Sequence, residues 1–163
     1  MANKDMVQGA QPFGRIYEAR VYEADGTIYA GDFLKLHADG TVEQAAATNA
    51  IIGVAAHYAT AGQDVLVYDH PDQLFMIQSD DATEPAAVAA IGLNYNIIVA
   101  SANTTYKRSG MELDGSTGAT TATLPLRLVQ LLRRVDNAYG ANAICVVRIN
   151  NRQNGSSTGV AGV

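Results

Sequence analysis

Short runs of apolar, β-branched and aromatic residues recur along the whole chain, and turn residues separate them. Runs of this kind, about four to eight residues long between Gly, Pro, Asn and Asp, are typical of β-strands. Many short strands at close spacing favour an all-β barrel or sandwich, here of about nine or ten strands. The predicted strands cover residues 15–23, 27–29, 33–37, 41–45, 51–56, 64–69, 73–78, 95–100, 124–135 and 143–150.

The clearest local signal is a turn between two of these runs. Asp39-Gly40 separates residues 33–37 from residues 41–45, and an Asp-Gly pair in this position predicts an antiparallel hairpin. Gly53 interrupts the next apolar run, which indicates a bulge or a close approach of another backbone.

One short helix is expected among the strands. Thr83 can cap it, Glu84 and Pro85 suit its first turn, and Gly92 suits its end. Residues 86–91 between them are nearly all apolar, so the helix is expected to be buried at the open end of a barrel.

The core-forming pattern occupies residues 15–150 and predicts a single β-rich domain. Sub-modules 15–80 and 93–150, joined by the helix at 83–92, are an alternative description of the same region. Residues 1–14 are expected to form an extended arm, and residues 113–121, rich in Thr and Gly, an exposed loop. Residues 151–163 form a Gly/Ser/Asn tail without core-forming content.

Charge is scarce in this chain. Asp, Glu, Lys and Arg make up 17% of its 163 residues, against an average of about 25%. A surface of small uncharged side chains suits contact with another protein, or is simply the exterior of a β protein with short loops. The net charge of −5 argues against nucleic-acid binding. No apolar stretch reaches the ~20 residues of a membrane span, and no signal-peptide pattern is present, so synthesis in a cytoplasm is expected.

Residues with catalytic or ligand chemistry do not form a recognisable motif. His37, His57 and His70 lack metal-ligand spacing, and Cys145 is the single cysteine. The carboxylates in residues 79–84 suit either a divalent cation or, more simply, the start of the expected helix. No nucleophile elbow or phosphate-binding loop is present. We therefore expect no catalytic, cofactor or metal site and no enzymatic activity.

Two other classes of function stay open as alternatives. Arg108-Ser109-Gly110 resembles an element of trimeric deoxyuridine triphosphatases, and residues 26–28 faintly resemble their Gly-Thr-Ile element. The order of the two is reversed and Tyr29 replaces the expected Asp, so a nucleotide pyrophosphatase is a remote alternative. A glycan-binding β module is the nearer one, although the chain has no Trp and only 7% aromatic residues.

Four segments between residues 31 and 68 follow one another in a recognisable order. They read Gly-Asp-Phe-Leu-Lys-Leu, Asp-Gly-Thr-Val-Glu-Gln-Ala, Ile-Ile-Gly-Val-Ala and Ala-Gly-Gln-Asp-Val-Leu-Val-Tyr. In this order and spacing they resemble the β-rich modules of head decoration, or cement, proteins of tailed bacteriophages. The resemblance covers about a quarter of the chain, and no single segment of it is rare.

The resemblance implies a structural virion protein without catalytic residues. Such a subunit, usually a homotrimer, binds the major capsid protein on the outer surface of the head and stabilises the head against internal DNA pressure. Candidate contact segments are residues 8–13, residues 109–120 and the tail. Phe13, Arg15, Tyr106 and Arg108 are hypothetical contact residues for capsid or protomer, because aromatic and Arg side chains dominate interface energies.

Overall fold

A computed structural model of the chain describes residues 3–80, 82–155 and 159–163. It confirms the all-β expectation, with eleven strands in two antiparallel sheets. The strands are β1 (Gln11–Phe13), β2 (Arg20–Glu23), β3 (Phe33–Leu36), β4 (Val42–Gln44), β5 (Gly53–Ala55), β6 (Asp64–Tyr68), β7 (Leu74–Gln78), β8 (Asn94–Asn103), β9 (Arg108–Ala119), β10 (Leu126–Leu131) and β11 (Ile144–Ile149).

The larger sheet has six strands in the order β1-β7-β11-β10-β8-β9. Its longest strands, β8 and β9, form one antiparallel hairpin. Strand β1 pairs with β7 in the same sheet, so the N-terminal segment and the C-terminal half of the chain share one layer.

The smaller sheet has five strands in the order β2-β6-β5-β3-β4, and its two edges meet. The Asp25 amide just after β2 donates to the Val42 carbonyl of β4 at 2.8 Å. The sheet therefore curls into a small barrel. Buried side chains fill its interior: Ala24, Ile28, Leu34, Val42, Ile52, Ala55, Ala59, Val65 and Val67.

The two sheets pack against each other through a second apolar core. Phe33 and Val54 of the small barrel lie in the same cluster as Phe75, Ile77 and Leu113 of the larger sheet. The rings of Phe33 and Phe75 meet edge to face, with centroids 6.3 Å apart. Alternation along the strands sends neighbouring side chains into different cores, because Phe33 joins this cluster and Leu34 joins the barrel interior.

The structure confirms two predictions made from local sequence. Strands β3 and β4 form the expected hairpin, and Gly40 in its turn has a φ of 91°. Gly53 marks a close backbone approach, because a Cβ atom there would lie 2.5 Å from the Tyr68 carbonyl oxygen.

The prediction of a buried helix at residues 83–92 is wrong. Only one 3₁₀ turn, Val88–Ala90, forms there, and Val88 is 68% exposed. Ala87, not Thr83, precedes the turn, and no side chain caps it. Nucleating a helix is costly, and a run composed largely of alanine buries too little apolar surface to offset that cost.

The prediction of an exposed loop at residues 113–121 is also wrong, because β9 extends to Ala119. Met111 and Leu113 are fully buried, which anchors β9 to the core despite its polar outward residues. Conversely, residues 27–29 contribute only an isolated bridge between Ile28 and Ala59, and β2 begins at Arg20, later than predicted. Within the described ranges, no helix is long and apolar enough to cross a membrane.

Asp32 lies fully buried at the junction between the barrel and the larger sheet. Its Oδ2 accepts hydrogen bonds from the Tyr29 amide at 2.9 Å and from Gln44 Nε2 at 3.2 Å. Burial raises the pKa of the carboxyl above its ordinary value of 3.8, and these bonds, which favour the charged form, do not offset that effect.

We expect Asp32→Asn to stabilise the protein at neutral pH. Because the folded pKa is raised, the unfolded chain releases this proton first, so wild-type stability falls as pH rises from 3.8 through the folded pKa. The variant lacks that loss, so its free energy of unfolding should exceed that of the wild type at pH 7, and the difference should shrink as the pH falls toward 3.8. Urea unfolding at a series of pH values measures the difference.

Asp39→Asn is the control with the opposite sign. Hydrogen bonds from Thr41 lower the pKa of the exposed Asp39 carboxyl, so its contribution to stability exists at neutral pH and is lost on acidification. A pH-independent gain, or none, for Asp32→Asn would contradict the assignment of Asp32 as a destabilising buried acid.

Candidate interaction surface

The side of β8 that faces β10 is unpaired over most of its length. Strand β10 pairs with β8 only at Asn94 and Tyr95. Pro125, which precedes β10, turns its carbonyl to the other side, where it accepts from the Asn150 amide just after β11. Beyond Tyr95, the described residues provide no backbone hydrogen bond to that side of β8.

The hairpin's hydrogen-bond pattern shows which groups point to this edge. The Leu113 carbonyl accepts from the Asp80 amide at 3.0 Å, outside the hairpin, so Leu113 and Ile97 are a non-hydrogen-bonded pair. Ile97 therefore turns its amide and carbonyl away from β9, and Val99 does the same two residues later. Ile97 is buried under side chains, whereas Val99 is 41% exposed.

The other sheet edges are short, closed or covered. Strand β1 has three residues and contains Pro12, which interrupts pairing. The edges of β2 and β4 close on each other in the barrel. The outer side of β9 is covered, since the Ser109 amide donates to Ala30 and the Leu113 carbonyl accepts from Asp80.

The side chains along β8 do not protect its edge. The strand reads Asn-Tyr-Asn-Ile-Ile-Val-Ala-Ser-Ala-Asn, without a charge or a proline. Charged residues and prolines are the usual devices that prevent pairing with another chain. A register shift in the pairing with β9, between Ala100 and Asn103, twists the end of β8 that is nearer the hairpin turn. The exposed residues 99–101 lie before this shift or at its start.

A shallow groove lies at the tip of the same hairpin. It is lined by Asn103, Tyr106 and Arg108 on one side and by Met6, Val7 and Gln8 of the N-terminal segment on the other. Tyr106 is 76% exposed and Met6 59%. We call these six groove residues and residues 97–103 of β8 the hairpin surface.

The structure places the four predicted contact residues in two separate locations. Tyr106 and Arg108 both line the hairpin groove. Phe13 lies in β1, where its carbonyl accepts from Gln73 Nε2 at 3.4 Å. Arg15 lies over the ring of Tyr17, with 5.0 Å from its Cζ to the ring centroid.

Sequence reasoning missed two parts of the surface. The sequence predicts only that Met6 belongs to an extended arm and that residues 95–100 form a strand, without indicating that one side of this strand is unpaired. The uncharged run in residues 94–103 was a usable signal. That the strand has a free side depends on where β10 starts, which no local pattern reveals.

The residues considered for catalysis or metal binding have structural partners. Asp80 Oδ1 accepts from the Gly115 amide, and Glu84 Oε2 from the Ala86 amide. Asp81, part of the same predicted cluster, lies outside the described residues. Burial raises the pKa of Cys145 to about 12. Among the residues that the structure describes, no group of three or more His, Cys, Asp or Glu is arranged to hold a metal ion.

The histidines and the Arg-Ser-Gly fragment are placed as follows. His57 Nε2 accepts from the Leu66 amide at 3.1 Å, and the His70 ring stacks on Tyr17 at 3.7 Å. His37 Nε2 lies 3.0 Å from a Glu43 carboxylate oxygen. Ser109 is buried inside β9, where its hydroxyl accepts from the Met111 amide.

Comparison of the chain with protein-family models, with curated proteins and with solved structures finds no match in any of the three.

Amide hydrogen exchange should alternate along β8. The Ile98 amide faces β9 and should be protected, whereas the Val99 amide faces the open side and should exchange faster by about tenfold or more. Exchange monitored by NMR on the free protein measures both. Equal protection of the two amides would mean that another segment or another chain covers this edge.

Proposed function

We propose that this protein is a decoration subunit that binds the outer surface of a tailed-phage head and stabilises the head against the pressure of the packaged DNA. Its partner is the major capsid protein, and its place is the exterior of the virion. The subunit acts mechanically, by bridging capsid proteins, and without catalysis. A homotrimer is part of this proposal.

The observation that carries the proposal is the hairpin surface. An open strand edge can bind an extended segment of another protein by strand addition, in which backbone hydrogen bonds supply affinity. The β8 edge needs no charged side chain to be desolvated on contact. The exposed Tyr106 and Met6 in the groove at the hairpin tip offer apolar area of the kind that dominates interface energies.

The sequence resemblance supports the same proposal through the small barrel. Its four segments correspond to β3, β4, β5 and β6, which are consecutive strands of that barrel. Two residues of these segments have structural roles: Gly53 lies at a close backbone contact, and the Asp32 carboxylate accepts from the Tyr29 amide. The resemblance therefore concerns the scaffold, while the hairpin surface lies on the other sheet and is free to suit a particular capsid.

The direct experiment is binding of the purified protein to expanded, undecorated phage heads. We expect saturable co-sedimentation and a higher temperature of DNA release, because each added contact must break before the shell opens. Heads that are already decorated serve as the control for non-specific sedimentation. Absence of binding would reject the capsid role, and a glycan array would then test the alternative of a glycan-binding module.

Two matched variants test whether the hairpin surface makes the contact. Val99→Lys places a charge beside the open edge and should weaken head binding about tenfold or more, since a charge on an edge strand opposes pairing. Val135→Lys introduces the same charge at a fully exposed loop residue and should leave binding unchanged. Equal binding by both variants, each with wild-type stability, would exclude the β8 edge as the contact.

A further inference from the structure

The last residues of the chain lie in a formed groove instead of extending into solvent. Within the predicted tail at 151–163, only residues 159–163 are called the tail from here on. The residues that bind it, Gly92, Asn94, Thr120, Arg127 and Asn150, are called the tail seat. The Val160 amide donates to Asn150 Oδ1 at 3.1 Å, and the Val163 amide donates to the Gly92 carbonyl at 3.2 Å. Between them, the Gly162 amide donates to the Thr120 carbonyl at 2.9 Å.

Carbonyl groups of the tail are bound as well. The Val160 carbonyl accepts from Asn94 Nδ2 at 2.8 Å and from an Arg127 guanidinium nitrogen at 3.0 Å. The same guanidinium nitrogen donates to the Ala161 carbonyl. The seat thus offers both donors and acceptors to the tail backbone, as a neighbouring strand would.

The seat is held in place by contacts that do not involve the tail. Arg127 Nε donates to Asn94 Oδ1 at 3.0 Å, and Asn94 Nδ2 also donates to the Thr121 carbonyl. Asn150 Nδ2 donates to the Ala122 and Leu124 carbonyls. Asn94 is fully buried. A groove fixed in this way before its ligand arrives loses little entropy on binding.

Close contacts select glycine at two tail residues. Gly159 has a φ of +68°, and a Cβ there would lie 2.3 Å from the Ala122 carbonyl oxygen. A Cβ on Gly162 would lie 3.0 Å from the Gly92 carbonyl oxygen. By contrast, Val160 and Val163 are 59% and 85% exposed, so their side chains add little apolar burial.

We propose that the tail seat is a peptide-binding site for an extended Gly-x-x-Gly-x segment, which the chain's own tail occupies. The recognition is of backbone groups and of small residues, so the same segment binds when it is supplied as a separate peptide. This inference does not depend on capsid binding.

The test uses a chain that ends at Gly155 and the acetylated, amidated peptide Gly-Val-Ala-Gly-Val. We expect the shortened chain to melt at a lower temperature, to bind the peptide in calorimetric titration, and to regain the lost melting temperature at saturation. The full-length chain should bind the same peptide at least about tenfold more weakly, because its own tail competes at high effective concentration.

A peptide with Ala in place of its second glycine is the matched control and should bind at least about tenfold more weakly, because its methyl group meets the seat backbone. If the shortened chain does not fold, full-length Gly162→Ala, whose tail should leave the seat, takes its place in the titration. Failure of the folded shortened chain to bind the peptide, or equal binding of the two peptides, would overturn the proposal.

Discussion

The junction at Gly31 and Asp32 is the constraint on which the arrangement of the two sheets depends. Gly31 has a φ of +93°, and a Cβ there would lie 2.8 Å from the Gln8 carbonyl oxygen. Its own carbonyl accepts from the Ala10 amide, so the N-terminal segment is fixed against the barrel. The buried carboxylate of Asp32 then ties the turn to Gln44 of β4 at an electrostatic cost, because nothing cationic is bonded to it in the described structure.

The same junction determines which edge of the larger sheet remains free. Ala30, next to Gly31, exchanges backbone hydrogen bonds with the start of β9, since the Ser109 amide donates to the Ala30 carbonyl. Asp80 covers β9 further along at Leu113. With one side of the hairpin occupied by the barrel and by the segment after β7, the free hydrogen-bonding groups are on β8. The barrel, which carries the sequence resemblance, thereby orients the surface that the proposed function uses.

Sequence patterns were sufficient where structure is local. The Asp39-Gly40 hairpin and the close approach at Gly53 follow from backbone preferences within a few residues. The helix predicted at 83–92 does not form, because capping residues and apolar content are not sufficient for a short helix. Its apolar side chains are mostly alanine, which buries too little apolar surface to stabilise it. The polar composition of β9 concealed a strand held by Met111 and Leu113, and only tertiary packing shows that these two are buried.

Residue type alone indicates which side chains suit a contact, but only the fold shows which of them lie together. Residue type pointed to Tyr106 and Arg108, and the fold brings both to the hairpin groove. Residue type alone also pointed to Phe13 and Arg15, which the fold places beside Gln73 and Tyr17 instead. The two valines of the tail are mostly exposed and form no pattern that signals a packed segment, and the seat assembles from residues between 92 and 150. Contacts of that sequence separation leave no local trace.

An uncharged open edge is a liability for a protein that remains a monomer in solution, because it can pair with any exposed strand. Single substitutions to Lys at solvent-facing residues of β8, such as Val99, would remove the liability at little cost in folding stability. The chain instead places its charges elsewhere, with a net charge of −5 that opposes association between copies through long-range repulsion. Salt screens that repulsion beyond about 10 Å, and the repulsion does not act against a neutral partner surface. An unprotected edge on a chain of net negative charge therefore favours pairing at β8 with a neutral surface of a different protein, which agrees with the contact proposed for a decoration subunit.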